Sequence, residues 1–282
     1  MPDIRIIDGR AIASGLRDDI TKKTRILMDE TGRVPGLAVV LVGKSPASQI
    51  YVAAKRKAAS DTGMNSYVHL LSEDASEADI LRLIERLNTD QNVHGILVQL
   101  PLPAHINKQK IINVITPAKD VDGLHPYNLG QLVLRQNTAV PCTPKGCLYL
   151  IKSIRHDLTG LKATVVGASA LVGRPMAQLL IQENCTVTQA HSKTADLVDA
   201  CKDADILVIA TGVPNLITAQ HVKDGAIVID VGINRIDECR LVGDVDFQDV
   251  TSKRNCAITP VPGGVGPMTI AMLLENTLEA AT

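Results

Sequence analysis

The 282-residue sequence is poor in aromatic side chains, with no Trp, one Phe (Phe247) and four Tyr. That leaves no platform on which single-stranded bases could stack. It has no excess of either charge, 29 Lys+Arg against 30 Asp+Glu, whereas a protein held on nucleic acid by bulk electrostatics is clearly basic. Its six cysteines (Cys142, Cys147, Cys185, Cys201, Cys239 and Cys256) contain no C-x-x-C pair, so neither a zinc ribbon nor a disulfide framework is expected, and no metal. No basic-plus-apolar leader precedes residue 20. The apolar runs fall well short of the ~20 residues of a membrane helix. The expectation is a cytoplasmic protein with neither a nucleic-acid nor a membrane partner.

What the sequence does hold is enough apolar material for real cores, 45% hydrophobic against 21% charged, and at ~150 residues per domain the length favours two. Runs at 37–43, 94–100, 163–167, 185–190, 205–210 and 226–232 are nearly continuous in apolar residues, as strands covered on both faces are. Helical patterns lie between them, near 9–31, 46–62, 76–88, 173–183, 195–202 and 218–223. Such alternation predicts an α/β protein with parallel sheets and right-handed crossovers. The segment 116–145 breaks the rhythm with prolines at 117, 126, 141 and 144 and glycines at 123 and 130. It is expected to be a functional or interdomain loop. A new strand–turn–helix unit opens at Ala163, and a helix after Pro267 is expected to return to the first domain.

That new unit reads ATVVGASALVGRPMAQLL, with Gly167, Ser169 and Gly173 at the places of a dinucleotide-binding turn. Such a turn brings backbone close to a pyrophosphate, whose charge is met by N–H groups at the helix N-terminus. Ser169 stands where the middle glycine would be and is expected to crowd that approach; an ordinary strand–helix turn is the plain alternative. A NAD-type site places an acid ~20 residues on, for the ribose 2′-OH. Here the second strand runs into Gln189–Ala190–His191–Ser192–Lys193–Thr194, and the first acid is Asp196. A strand end rich in donors and without a carboxylate suits the 2′-phosphate of NADP, unless it is merely a solvated loop.

In the first half, Ser45 and Pro46 are placed to cap and open a helix that Gly63 closes. Ile50, Ala54 and Ala58 form its expected apolar stripe, with Tyr51 and Lys55 one turn apart on the border. A partly desolvated lysine there has a lowered pKa and can serve in acid–base work; a border lysine more often snorkels to water. Gln99 ends a buried strand, where parallel sheets bind ligands, or else it satisfies a loop carbonyl. Of Asp120 and Asp122, in KDVDGLHP, one is expected to bond only its own turn. The run ITPVPGGVGPMT (258–269) is rigid and short of side chains; it presses against a flat ligand or simply connects domains.

The motifs YVAAK (51–55), GILVQLPLP (95–103), KDVDGLHP (119–126), PCTPKG (141–146), VVGASALVGRPM (165–176), VIDVGIN (228–234), GDVDF (243–247) and TPVPGGVGPMT (259–269) occur in one order along the chain. Together they resemble the bifunctional methylenetetrahydrofolate dehydrogenase/cyclohydrolase family over essentially the whole length. The resemblance implies two α/β domains with a cleft between them: residues 1–142 with 268–282 catalytic and folate-binding, residues 143–267 Rossmann-like and NADP-binding. It implies oxidation of 5,10-methylenetetrahydrofolate by NADP+ and hydrolysis of the product to 10-formyltetrahydrofolate, in a homodimer. Lys55 would be the principal catalytic residue, with Gln99 modulating it, Tyr51 covering the folate and Asp122 holding the pterin. Gly167, Ala168, Ser169, Ser192 and Ile233 would line the cofactor site. The alternatives are a one-activity relative, a non-catalytic dinucleotide sensor, and a shikimate-type dehydrogenase, which would not need the VQLPLP and PVPGGVGP loops.

Overall fold

A computed structural model describes residues 4–237 and 240–282; Cys239 lies outside them. The chain begins with β1 (Arg5–Ile6), α1 (Gly9–Thr31), β2 (Gly36–Val42), α2 (Pro46–Asp61), β3 (Asn65–Leu71), α3 (Glu77–Thr89) and β4 (Gly95–Val98). Three helices follow: α4 (Lys108–Val114), α5 (Pro126–Val133) and α6 (Cys142–Ile154). Then come β5 (Lys162–Val166), α7 (Gly173–Gln182), β6 (Thr186–Ala190), α8 (Leu197–Cys201), β7 (Ile206–Ile209) and β8 (Ile227–Asp230). The last elements are β9 (Asn234–Arg235), β10 (Leu241–Val242), α9 (Phe247–Val250), β11 (Ala257–Ile258) and α10 (Val265–Glu279).

The chain divides into two units. One holds residues up to Ala13 together with Thr143–Thr269, and the other Ser14–Cys142 together with Ile270–Thr282. The first unit is built on a six-stranded sheet in the order β1-β11-β8-β7-β5-β6, parallel at every pairing. Val166, Leu207, Ile209, Val228 and Ile258 lie in its core. The second has a parallel three-stranded sheet, β3-β2-β4. All seven residues of β2 are buried, and α3 lays Ile80, Leu83, Ile84 and Leu87 into the core beside it. A capping box opens α3, Ser76 and Asp79 each accepting from the other's backbone N–H. Among the described residues no helix is long and apolar enough to cross a membrane, and none of the described cysteines forms a disulfide.

The two-domain α/β plan and the parallel sheets match the sequence reading. Several particulars differ. The first residues join the dinucleotide-type unit instead of staying with 14–142, because β1 pairs with β11 through Arg5↔Ala257 and Ile6↔Ile258. The segment 116–145 is no open loop. It contains α5, with Pro126 at its first turn, and the start of α6. The pattern at 218–223 shortens to a single 3-10 turn, Ala219–His221.

Candidate active site

Helix α2 carries Lys55 and Tyr51, but with a different face inward than the sequence implied. Its buried positions are Ser48, Val52, Lys55 and Ala59, and Lys55 is 9% exposed; Ile50 is 67% exposed. Alanines recur around this helix, at 53, 54, 58 and 59, so the pattern of Ile50, Ala54 and Ala58 gives no true amphipathic contrast. Lys55 therefore lies on the buried stripe itself. Tyr51, a turn earlier, is half-exposed. Ser45 sits at the N-cap with no side-chain cap bond, while Pro46 holds the first turn.

Gln99 continues the β4–β2 ladder, its N–H donating to Val40 O at 2.9 Å, and so sits just past the carboxyl end of β4. Its amide nitrogen donates to Leu100 O at 2.8 Å. That fixes the amide so that Oε1 accepts from Lys55 Nζ at 2.9 Å. The bond pins the amine, and in the neutral amine it leaves the nitrogen lone pair free to take a proton. Burial pushes Lys55 below the ordinary lysine range, against the opposing pull of Asp122 and Cys142. Asp122 moves the other way: burial raises its carboxyl, and the Lys55 charge draws it down. Burial thus disfavours the charged form of both groups, a perturbation typical of sites that move protons.

The two aspartates of KDVDG divide their work. Asp120, 2% exposed, accepts from His125 N at 2.7 Å and Asn128 Nδ2 at 2.9 Å, so it closes its own loop. Asp122 is the one left coupled to Lys55. The loop is held from behind by residues the sequence reading did not nominate. Asn276 of α10 donates through Nδ2 to Val121 O and to Val140 O, both at 2.9 Å, and the Cys142 thiol donates to Val121 O at 3.3 Å. Gly123 has φ +70, and a Cβ there would lie 2.5 Å from Pro141 N. PCTPKG was visible as a motif, but Asn276 had no signal inside an apolar helix.

The glycine turn lies in the other unit, after β5. Gly167 has φ +126, and a Cβ on it would lie 2.3 Å from Ala210 O; one on Gly173 would lie 2.0 Å from Gly167 O. These are the tight turn and the close helix–strand approach that a dinucleotide fold requires. Ser169, at the place of the middle glycine, has a bonding role of its own in the turn. Its Oγ accepts from Val172 N at 3.1 Å and Gly173 N at 3.3 Å, so the hydroxyl caps α7 and those two N–H groups are engaged within the chain. Gln189 donates to Gly167 O at 3.1 Å and braces the turn. Ala168 is half-buried, and Ile233, just before β9, is exposed.

Beyond β6, His191, Ser192 and Lys193 are exposed in a turn held by His191 N to Thr194 Oγ1 at 2.9 Å and Lys193 N to His191 Nδ1 at 3.1 Å. The first acid after the strand, Asp196, accepts from Asp199 N at 2.9 Å and caps α8. With that carboxylate engaged and a hydroxyl and an ammonium exposed beside it, the strand end fits a dinucleotide carrying a 2′-phosphate.

Comparison with known proteins agrees over both units. The catalytic domain of the tetrahydrofolate dehydrogenase/cyclohydrolase family matches residues 7–122, and its NAD(P)-binding domain matches residues 141–282. The bifunctional protein FolD of Cereibacter sphaeroides is 57% identical over 277 residues, 97% of this chain and 93% of its own length. The crystal structure of the bifunctional FolD methylenetetrahydrofolate dehydrogenase/cyclohydrolase of Campylobacter jejuni is 48% identical with a TM-score of 0.96, covering 99% of this chain and 98% of that one. The Trypanosoma brucei methylenetetrahydrofolate dehydrogenase-cyclohydrolase, solved with NADP and an inhibitor, is 40% identical with a TM-score of 0.95 over the same shares, 99% and 98%. With both domains matched and more than half the residues identical to a curated relative, the chain belongs to the tetrahydrofolate dehydrogenase/cyclohydrolase family.

Proposed function

We propose that this enzyme oxidises 5,10-methylenetetrahydrofolate with NADP+ and hydrolyses the methenyl product to 10-formyltetrahydrofolate, with Lys55 as its acid–base residue. The observation that carries this is the buried Lys55 amine, fixed at 2.9 Å by Gln99 and pushed toward neutrality beside Asp122. The first step needs no base. The reacting carbon lies between two nitrogens, and a nitrogen lone pair stabilises the cation left behind. When bound, NADP+ supplies the hydride acceptor. The chain contributes alignment and exclusion of water.

Hydrolysis does need proton transfer. Water attacking the methenyl carbon loses a proton, the hydroxyl so formed loses a second as it becomes the formyl C=O, and the ring nitrogen gains one as its bond to that carbon breaks, so one proton is released overall. One group near neutrality can both take and give a proton. At its free pKa only about one lysine in a few thousand is neutral at pH 7, so the burial of Lys55 is what makes it competent. Gln99 holds the amine in place, Asp122 accepts hydrogen bonds from the pterin, and Tyr51 covers it. In the other unit Gly167, Ala168, Ser169 and Ile233 hold the dinucleotide, and Ser192 with Lys193 takes the 2′-phosphate.

The enzyme is read as a homodimer of the cytoplasm, active in one-carbon supply. Dimerisation is supported by the outer edge of the smaller sheet: β3, NSYVHLL, has no Asp, Glu, Lys, Arg or Pro and presents Leu70 at 72% exposure, an edge that natural proteins cover. The function is tested by adding methylenetetrahydrofolate and NADP+ and following methenyl absorbance. Its NADP+-dependent appearance, then its decay faster than in buffer, is expected. Appearance without accelerated decay would overturn the bifunctional reading.

A further inference from the structure

The motif GDVDF places a carboxylate where the reading of function gives it no task. Asp244 is fully buried, at 0% exposure, yet it lies among the loops past the carboxyl ends of β7 and β8. Its Oδ2 accepts from Thr211 N at 2.6 Å, Thr211 Oγ1 at 2.9 Å and Gly212 N at 2.9 Å. Its Oδ1 accepts from Asn234 Nδ2 at 2.8 Å. One side chain thus ties together the turn after β7 and the start of β9. Asp244 is itself held by Asp230, whose Oδ1 accepts the Asp244 N–H at 3.0 Å. The fit leaves no slack: a Cβ on Gly232 would lie 2.1 Å from Asp244 Oδ1.

Both tethered segments adjoin positions assigned to the dinucleotide. Thr211 follows Ala210, whose carbonyl is the group against which Gly167 packs. Asn234 follows Ile233. We infer that Asp244 is a positioning residue for the dinucleotide: it sets the Thr211–Gly212 turn behind the glycine turn and, through Asn234, the placement of Ile233. A buried carboxylate needs such donors wherever it lies, to offset its desolvation. This one joins the segments that follow β7 and β8, at the carboxyl ends of the strands where parallel sheets bind ligands. The inference rests on the dinucleotide reading above and adds a residue that never touches the cofactor.

The test uses the full-length enzyme and three variants. Asp244→Ala removes all four bonds, and Thr211→Val removes the hydroxyl bond to Asp244, together with the one the hydroxyl accepts from Val213 N at 3.2 Å, while the N–H groups of Thr211 and Gly212 keep the carboxylate. In the double variant Asn234→Asp with Asp244→Asn the polarity of the pair is exchanged, so an amide oxygen still faces the 211–212 turn and a carboxylate accepts from the new amide. Two readouts are taken: the dissociation constant for NADPH from its own fluorescence, and the ratio of dehydrogenase kcat/KM for NADP+ to cyclohydrolase kcat/KM. For Asp244→Ala the dissociation constant should rise and the ratio fall, each by about tenfold or more. Thr211→Val should shift both severalfold in the same direction, and it decides the matter should Asp244→Ala not fold. The exchanged pair should recover most of the loss. The inference fails if NADPH affinity is unmoved in folded variants, or if the two activities fall in parallel with thermal stability. The parent's own NADP+-dependent rate tests the reading of function separately.

Discussion

The two units of this protein bury their carboxylates for opposite ends. In the catalytic unit Asp122 stands beside an amine, and burial drives both groups away from their charged forms. In the dinucleotide unit Asp230 and Asp244 are wrapped in fixed donors. Asp230 accepts from the N–H groups of Gly232, Asp244 and Val245, and Asp244 from two backbone and two side-chain groups. A partner that can itself titrate makes a buried acid chemically useful. Partners that cannot titrate make it a fastener. The surroundings, not the residue type, decide which.

The sharpest way to break this contrast is Lys55→Met. Loss of general acid–base help should lower cyclohydrolase turnover by about 10²–10⁴-fold and dehydrogenase turnover far less, measured by supplying methenyl- and methylenetetrahydrofolate separately. Equal losses would make Lys55 a folate-binding residue. Next in size, Asp122→Ala should raise the folate KM by about 10–100-fold, the worth of hydrogen bonds to a charged or strongly polar group; an unchanged KM would remove Asp122 from the pterin. Changing Ser192 and Lys193 together to Ala should raise the KM for NADP+ about tenfold at this exposed site while sparing that for NAD+. A parallel rise for both would dismiss the 2′-phosphate.

The smallest effect concerns Asp230. Burial outweighs its three N–H donors and pushes it up to about 6. The folded protein then holds that proton more tightly than the unfolded chain, so this contribution to stability is present at low pH and is lost as pH rises through about 6. Between about pH 5 and pH 7 it amounts to about 1 kcal/mol, or roughly 2–4 °C in Tm. Asp230→Asn should remove that slope, read as the pH dependence of the Tm difference between the two proteins. A slope that persists would place the proton elsewhere.

Much of this was legible in the sequence, and what was missed has physical causes. β2, β4, β5, β7 and β8 announce themselves because residues covered on both sides must be apolar. β3 does not: half-buried at the sheet's edge, it keeps Asn65, Ser66 and His69 and breaks the run. The face of α2 was misread because alanines at 53, 54, 58 and 59 offer little contrast around the helix. α6 hid behind its own composition. Glycine stands inside this helix at 146 because a Cβ there would lie 2.9 Å from Met268 Cβ, a requirement of packing that no local pattern reveals. Only the family resemblance links Gln99 to Lys55 in the sequence; the hydrogen bond between them is a product of the fold.

The path of the backbone has one further consequence. The chain passes from unit to unit three times, after Ala13, Cys142 and Thr269, and each passage falls inside a helix: α1, α6 or α10. Neither half can be excised as one uninterrupted stretch of sequence, and shortening the N-terminus past Ile6 would strip the outermost strand from the larger sheet. Efforts to dissect the two activities must therefore proceed by side-chain replacement, since scissors would wound both.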